Sequence, residues 1–85
     1  MKIEYLLHAE NQLKERQISK KLIEKILSKP DQVVDARFNR KIAQKVMLEG
    51  KFKFLYRVIY IVSESKTVVI TAYKTRNIKK YWVEK

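Results

Sequence analysis

Three polar side chains near the N-terminus have the types and the spacing of a site that could act on a phosphodiester. His8, Gln12 and Arg16 lie four residues apart, so they line up along one stripe if the segment is helical. Histidine takes up and releases protons near neutral pH, and arginine is a natural ligand of phosphate, so the stripe suits phosphodiester chemistry. The ordinary alternative is a solvent-exposed histidine with an arginine that complements the helix dipole.

A second group of residues, in the C-terminal half of the chain, interleaves aromatic with basic side chains. Such a surface can stack the bases and hold the phosphates of a nucleic acid. The alternative is that the rings belong to the core while the lysines keep the sheet edges in solvent. The group consists of Phe54, Tyr56, Arg57, Tyr60, Tyr73, Lys74, Arg76, Lys79, Lys80, Tyr81 and Trp82. Around the first predicted hairpin, the phosphate track could be extended by Arg37, Arg40, Lys41 and Lys45.

The overall charge indicates a polyanionic partner. Twenty Lys and Arg against nine Asp and Glu give a formal net charge of +11, which raises the local phosphate concentration and speeds association. RNA is the partner that we expect. An anionic membrane is the weaker alternative, because the sequence shows neither a basic amphipathic helix nor a lipid anchor. A merely lysine-rich, solubilising surface is the other alternative.

The residue inventory excludes most enzyme classes and the common cofactor sites. The chain has no cysteine and one histidine, which argues against disulfides, thiolate sites and a zinc centre. It also lacks a Gly-rich phosphate loop, a nucleophile elbow and a recognisable pair of catalytic carboxylates. We therefore expect no cofactor and no metal. The chemistry left open is metal-independent RNA cleavage, in which the 2′-hydroxyl attacks and the protein supplies cations and a proton carrier.

The distribution of breakers and apolar residues predicts one cytoplasmic domain over residues 1–85. One glycine and one proline leave no candidate linker. The N-terminal segment has too short an apolar run for a signal peptide, and no stretch approaches the ~20 apolar residues of a membrane span. The lack of cysteine is typical of a reducing compartment.

The chain divides at Pro30 into a helix-forming part and a strand-forming part. Residues 8–17 and 20–28 carry good helix formers, and Ser19 can cap the second helix while Ile18 packs against Ile23. β-Branched and aromatic residues then dominate 32–38, 42–48, 52–62 and 67–75, and the connections between these runs are too short for crossovers. The predicted fold class is α+β, with two N-terminal helices on a four-stranded antiparallel sheet.

The turn between the last two predicted strands decides which residues share a face of the sheet. A two-residue turn at Glu64 and Ser65 would place Tyr56 opposite Tyr73. The isoleucine-rich face would then hold the helices, and the face richer in Tyr and Thr would stay partly open. The isoleucine-rich face would consist of Leu55, Arg57, Ile59, Ile61, Val68, Ile70, Ala72 and Lys74.

Short motifs spread over residues 8–76 follow the pattern of a known family. They are His8-Ala9, Arg16-Gln17-Ile18-Ser19, Pro30 and the run Val68-Val69-Ile70-Thr71-Ala72-Tyr73. Together they resemble domain of unknown function family 4258, which looks like a relative of the RelE/ParE toxin fold. That family usually has Arg where Gln12 stands and often Gly at Gln17, so one potential phosphate ligand is absent.

The resemblance implies a RelE/ParE-like layout and an RNA-directed toxin domain, either an endoribonuclease or a degenerate descendant of one. In that hypothesis His8 relays a proton, Arg16 and Arg57 hold the scissile phosphate, and Tyr73 stacks a base or donates to the leaving group. An acidic antitoxin protein is the implied partner. The alternatives are a non-catalytic nucleic-acid-binding or protein-binding module and a gyrase-directed ParE-like toxin. The other expected nucleic-acid-binding residues are Arg37, Arg40, Lys45, Tyr56, Lys74, Arg76, Lys79 and Lys80.

Overall fold

The computed structural model describes residues 2–84, which form five strands and three helices. In chain order they are β1 (Lys2–Tyr5), α1 (Leu7–Glu15), α2 (Lys20–Ser28), β2 (Gln32–Asp35), β3 (Lys41–Glu49), β4 (Phe52–Ser63), β5 (Lys66–Thr75) and α3 (Ile78–Tyr81). No helix in this part of the chain is long and apolar enough to cross a membrane.

All five strands belong to one mixed sheet, in the order β1-β5-β4-β3-β2. β1 runs parallel to β5, while the other pairs are antiparallel. The predicted RelE/ParE-like layout, two N-terminal helices on a four-stranded antiparallel sheet, is therefore wrong. The alternation of Ile3 and Tyr5 with polar neighbours already fits a strand. That strand was missed because it is short and its partner lies at the far end of the chain.

Local signals set the ends of the two N-terminal helices. The Ser19 hydroxyl accepts a hydrogen bond from the Leu22 amide at 3.1 Å, and Ile18 before it is buried. α1 ends before Gln17, whose φ of 56° is the left-handed conformation that commonly follows a helix. Both predicted helices are confirmed, although α1 stops at Glu15.

A bulge in the last hairpin overturns the predicted register. Glu64 and Ser65 form the predicted two-residue turn, with φ of 49° and 68° and with their flanking residues paired. The register then shifts, because Tyr60 pairs with Val69 while the preceding residue, Ile59, pairs with Thr71. One extra residue in β5 exchanges the faces of every side chain beyond it.

α1 and α2 pack on the face that we expected to stay open, which carries the buried Tyr56 and Val58 of β4 and to which the bulge adds Ala72. The core they bury there contains Tyr56, Val58 and Ala72, together with Ile23 and Ile26 of α2. The prediction that the isoleucine-rich face holds these helices is wrong. We call the opposite sheet face the Arg57 face. It carries Ile42, Gln44, Val46, Lys53, Leu55, Arg57, Ile59, Thr71, Tyr73 and Thr75.

Candidate nucleic-acid interface

Arg57 is the centre of the contacts on the Arg57 face. Its Nε donates to Gln44 Oε1 at 2.7 Å, and its Nη1 donates to the hydroxyl of Tyr73, the residue paired with it on β5. The guanidinium carbon lies 4.1 Å from the ring centroid of Tyr81 and 5.7 Å from that of Tyr73. Two catalytic candidates, Arg57 and Tyr73, are thus in direct contact, and α3 supplies an aromatic ring beside them.

Two glutamines attach the C-terminal segment to this face. Gln44, fully buried, donates from Nε2 to Gln32 Oε1 at 3.0 Å and to the Tyr81 carbonyl at 3.2 Å. Gln32 donates to the Val83 carbonyl at 2.6 Å and accepts from the Val83 amide at 3.2 Å. Neither glutamine was among the predicted site residues. The signal was an uncharged polar residue, Gln44, in the middle of an apolar strand, which must find partners when buried.

Arg16, at the end of α1, contacts β5, the strand that carries Tyr73. Its Nη1 donates to the Ala72 carbonyl at 2.8 Å and to Thr71 Oγ1 at 3.2 Å, while the Thr71 hydroxyl donates to Gln12 Oε1. Thr71 and Tyr73 point to the same face, because they are two residues apart on β5 beyond the bulge. Arg16 therefore extends the line formed by Tyr73 and Arg57.

His8 stands apart from the other three catalytic candidates. It is exposed near the start of α1, on the stripe that continues through Gln12 to Arg16. Within residues 2–84, no hydrogen bond joins His8 to Arg16, Arg57 or Tyr73. The geometry thus assembles two arginines and a tyrosine, and leaves the proton carrier of the hypothesis at a distance along the helix.

Exposed cations lie in α3 and just before it. Arg76, Lys79 and Lys80 are exposed. Lys80 Nζ lies 5.3 Å from the centroid of the Tyr81 ring. The guanidinium of Arg76 lies 4.2 Å from the centroid of the Phe52 ring, which the register places on the same face as Tyr56 and opposite Arg57. The side chains of Arg76 and Lys80 combine charge with an aromatic neighbour, as nucleic-acid-binding surfaces do.

Three residues predicted to bind nucleic acid lie instead on the opposite face of the sheet, against which α1 and α2 pack. Tyr56 is 6% exposed and donates its hydroxyl hydrogen bond to Glu49, so its ring has no open side on which a base could stack. Lys74 forms a 2.8 Å ion pair with Glu49, and Lys45 donates to the Lys29 carbonyl at 2.9 Å. Hydrogen bonds from the Lys74 ammonium and, to a smaller extent, from the Tyr56 hydroxyl lower the pKa of Glu49. Burial raises the pKa of Tyr56.

Arg37 and Arg40 lie in the hairpin between β2 and β3. In the sheet β2 is an edge strand, and β3 separates it from β4, which carries Arg57. Both arginines of the hairpin are exposed. The Arg40 guanidinium lies 6.0 Å from the Phe38 ring centroid, and that ring is 82% exposed. These two arginines form a separate basic patch with an aromatic ring.

The described part of the chain holds no group of three or more His, Asp or Glu side chains that could bind a metal ion. The arrangement on the Arg57 face can hold phosphate oxygens by charge and hydrogen bonding, and can offer rings to bases.

A comparison with protein families gives one match. The model of the family described as "Domain of unknown function (DUF4258)" matches residues 5–74. No curated protein and no solved structure matches the chain. The likeness to RelE and ParE toxins is thus supported by none of these comparisons.

Proposed function

Because the chain belongs to the DUF4258 family, whose description assigns no activity, we propose from the geometry of the Arg57 face that the protein binds single-stranded RNA. The bound strand lies along β5 and α3. Its phosphates contact Arg57, Lys79 and Lys80, and its bases stack on exposed parts of the aromatic rings beside them.

The observation that supports this proposal most directly is the setting of Arg57. Hydrogen bonds to Gln44 and Tyr73 use two of its N–H groups, and the ring of Tyr81 lies against its plane. Within residues 2–84 the remaining N–H groups make no hydrogen bond and can meet phosphate oxygens, because a guanidinium carries more donors than these two bonds use. A guanidinium already held in one orientation loses little side-chain entropy on binding.

Charge supports the same proposal at longer range. The net charge of +11 attracts any polyanion, but binding at one place needs cations in one place. Lys79 and Lys80 are adjacent in α3 at one end of the Arg57 face, where a phosphate chain leaving Arg57 would pass.

The test compares two pairs of lysines that carry equal charge. Lys79→Gln with Lys80→Gln removes two charges beside the Arg57 face, and Lys21→Gln with Lys25→Gln removes two exposed charges from α2. Fluorescence anisotropy with a labelled single-stranded RNA, at several salt concentrations, gives the affinity and its salt slope. We expect the first pair to flatten the slope by about 0.7 per lost contact and the second to change it little. Equal losses from both pairs would mean that net charge alone attracts the RNA.

Cleavage of the bound strand is a second candidate function, favoured by the contact between Arg57 and Tyr73. In this reaction the ribose 2′-hydroxyl loses its proton to solvent water as its oxygen attacks phosphorus, the bond from phosphorus to the 5′-oxygen breaks, and that oxygen takes a proton. The products are a 2′,3′-cyclic phosphate and a 5′-hydroxyl. Arg57 would stabilise the charge on the phosphate and the Tyr73 hydroxyl would protonate the leaving oxygen.

Tyr73→Phe separates RNA binding from RNA cleavage, because it keeps the aromatic ring and removes the hydroxyl that would donate the proton. We expect the variant to bind RNA and to cleave it at least about 100-fold more slowly than the wild type, the usual contribution of a general acid. Intact RNA after incubation with the wild-type protein, with ribosomes absent and present, would eliminate cleavage and leave binding. A cytoplasmic location and an acidic protein partner for the basic surface remain predictions alongside these proposals.

A further inference from the structure

A cleft lies between the C-terminal segment and the sheet, next to the Arg57 face. It has a volume of about 420 Å³ and is lined by Val46, Lys53, Ile78, Lys79, Trp82 and Glu84. Pockets that bind small molecules have volumes of roughly 300–1,000 Å³, so this cleft can take one nucleobase with its sugar. Of the residues proposed to contact phosphates, Lys79 lines this cleft.

The chemistry of the lining fits a flat, aromatic occupant with an attached phosphate. Val46 and Ile78 are apolar, and Trp82 offers an indole ring, the side chain with the largest stacking surface. Lys53 and Lys79 are exposed, so their ammonium groups can pair with phosphates outside the cleft while the base lies within.

Glu84 discriminates among the bases. An ionised carboxylate only accepts hydrogen bonds and can accept two from neighbouring donors. The Watson–Crick edge of guanine presents two adjacent donors, the N1–H and the 2-amino group. The edges of adenine, cytosine and uracil each pair a donor with an acceptor that a carboxylate repels. Among residues 2–84, Glu84 is the acidic side chain that lines the cleft, and the cleft therefore favours guanine.

The cleft is continuous with the proposed path of the strand. Trp82 directly follows Tyr81, whose ring lies against Arg57, and Gln44 and Gln32 hold this segment on the sheet. We propose that the cleft receives one guanine base of the bound single-stranded RNA. The inference rests on the proposed function, since it places a base of the same strand.

The first experiment compares the pentanucleotides UUGUU, UUAUU and UUUUU by anisotropy. We expect UUGUU to bind about tenfold more tightly than the other two, and Glu84→Gln to remove that preference while the affinity for UUUUU stays. Glu24→Gln, an equal charge change on α2, is the control and should keep the preference. Equal affinities of the wild type for all three would overturn the guanine cleft and leave RNA binding intact.

A second experiment distinguishes failure of the guanine cleft from failure of RNA binding, should no pentanucleotide bind. Trp82 is the one tryptophan of the chain, so its indole N–H gives a single assigned NMR resonance. Titration with guanosine monophosphate should shift this resonance at millimolar concentrations, and cytidine monophosphate should shift it far less. A shift confined to guanosine monophosphate without pentanucleotide binding would support the cleft and refute the proposed RNA path. An unmoved indole resonance would refute the cleft.

Discussion

Arg57 connects the candidate site with the position of the C-terminal segment. It bonds Gln44, which in turn holds the Tyr81 carbonyl, and it lies directly against the Tyr81 ring. Lysine could supply the charge at this position but neither the planar stack nor the paired donors. The side chain thus has a structural role that can be measured without any ligand.

Arg57→Lys should lower the free energy of unfolding by about 1.5–3 kcal/mol, the range for hydrogen bonds made by a charged group. The loss should be concentrated in the C-terminal segment, where amide hydrogen exchange at Val83 should accelerate because its partner Gln32 depends on the same network. Urea unfolding and exchange measurements test this. Arg76→Lys, an exposed control, should change neither, and unaltered exchange in Arg57→Lys would refute the structural role.

Glu49 makes stability depend on pH. Its hydrogen bonds with Lys74 and Tyr56 lower its pKa below the ordinary value of 4.5. A carboxyl group with a lowered pKa in the folded state stabilises the fold above its unfolded pKa, and this contribution disappears as the pH falls through the folded value. Stability should therefore decrease as the pH drops below about 4.5.

Glu49→Gln should flatten this acid dependence, because the variant has no proton to take up at that position. Urea midpoints at pH 6 and pH 3 measure the difference. Glu24→Gln, whose side chain is exposed on α2, provides the comparison and should retain the wild-type slope. If Glu49→Gln showed the wild-type slope as well, the pH dependence would have to come from other carboxylates.

At the scale of elements, the cap of α2 is the clearest local determinant of the fold. The Ser19 hydroxyl satisfies the Leu22 amide, one of the first amides of the helix that lack an intrahelical partner. Ser19→Ala should cost about 1 kcal/mol of unfolding free energy, measured by urea denaturation. The exposed Ser63 at the end of β4 offers a comparison, since Ser63→Ala should change stability by less than about 0.5 kcal/mol.

Elements set by neighbouring residues were predictable from sequence, and those set by distant residues were not. The cap at Ser19, the break at Pro30 and the turn at Glu64 act within a few residues, and α2, its end and the hairpin followed from them. β1 depends on pairing with β5, about sixty residues away along the chain. The bulge opposite Ile59 and Tyr60 has no signal in the sequence, since neither glycine nor proline occurs in this part of β5.

The candidate site was predictable to the same extent. Arg16, Arg57 and Tyr73 were identified by residue type and by resemblance. In the structure Arg57 of β4 bonds Tyr73 of β5, and Arg16 bonds Thr71 and Ala72 of the same strand. Tyr56 was assigned to the open face because that face is richer in Tyr and Thr, and it lies in the core. Gln44 was not identified because its importance depends on the tail that folds back over it.

For the whole molecule, placement matters more than the total of the charges. The exposed lysines of α2 and the cations beside the Arg57 face lie on opposite sides of the sheet. Both groups contribute to the net charge, and the second lies beside a guanidinium held against an aromatic ring, that of Arg57 on Tyr81. A polyanion attracted by charge alone would contact both sides, whereas a bound single strand should occupy one.

The most direct test of this account is NMR chemical-shift mapping with a ten-nucleotide single-stranded RNA at low salt. We expect shifts in the amides around Arg57, Tyr73 and Lys79 and in the Arg57 Nε–H, with the amides of Lys21 and Lys25 unaffected. Shifts spread over α2 as strongly as over the Arg57 face, or no shifts at all in a folded, nucleic-acid-free preparation, would contradict the assignment of this face as an RNA-binding surface.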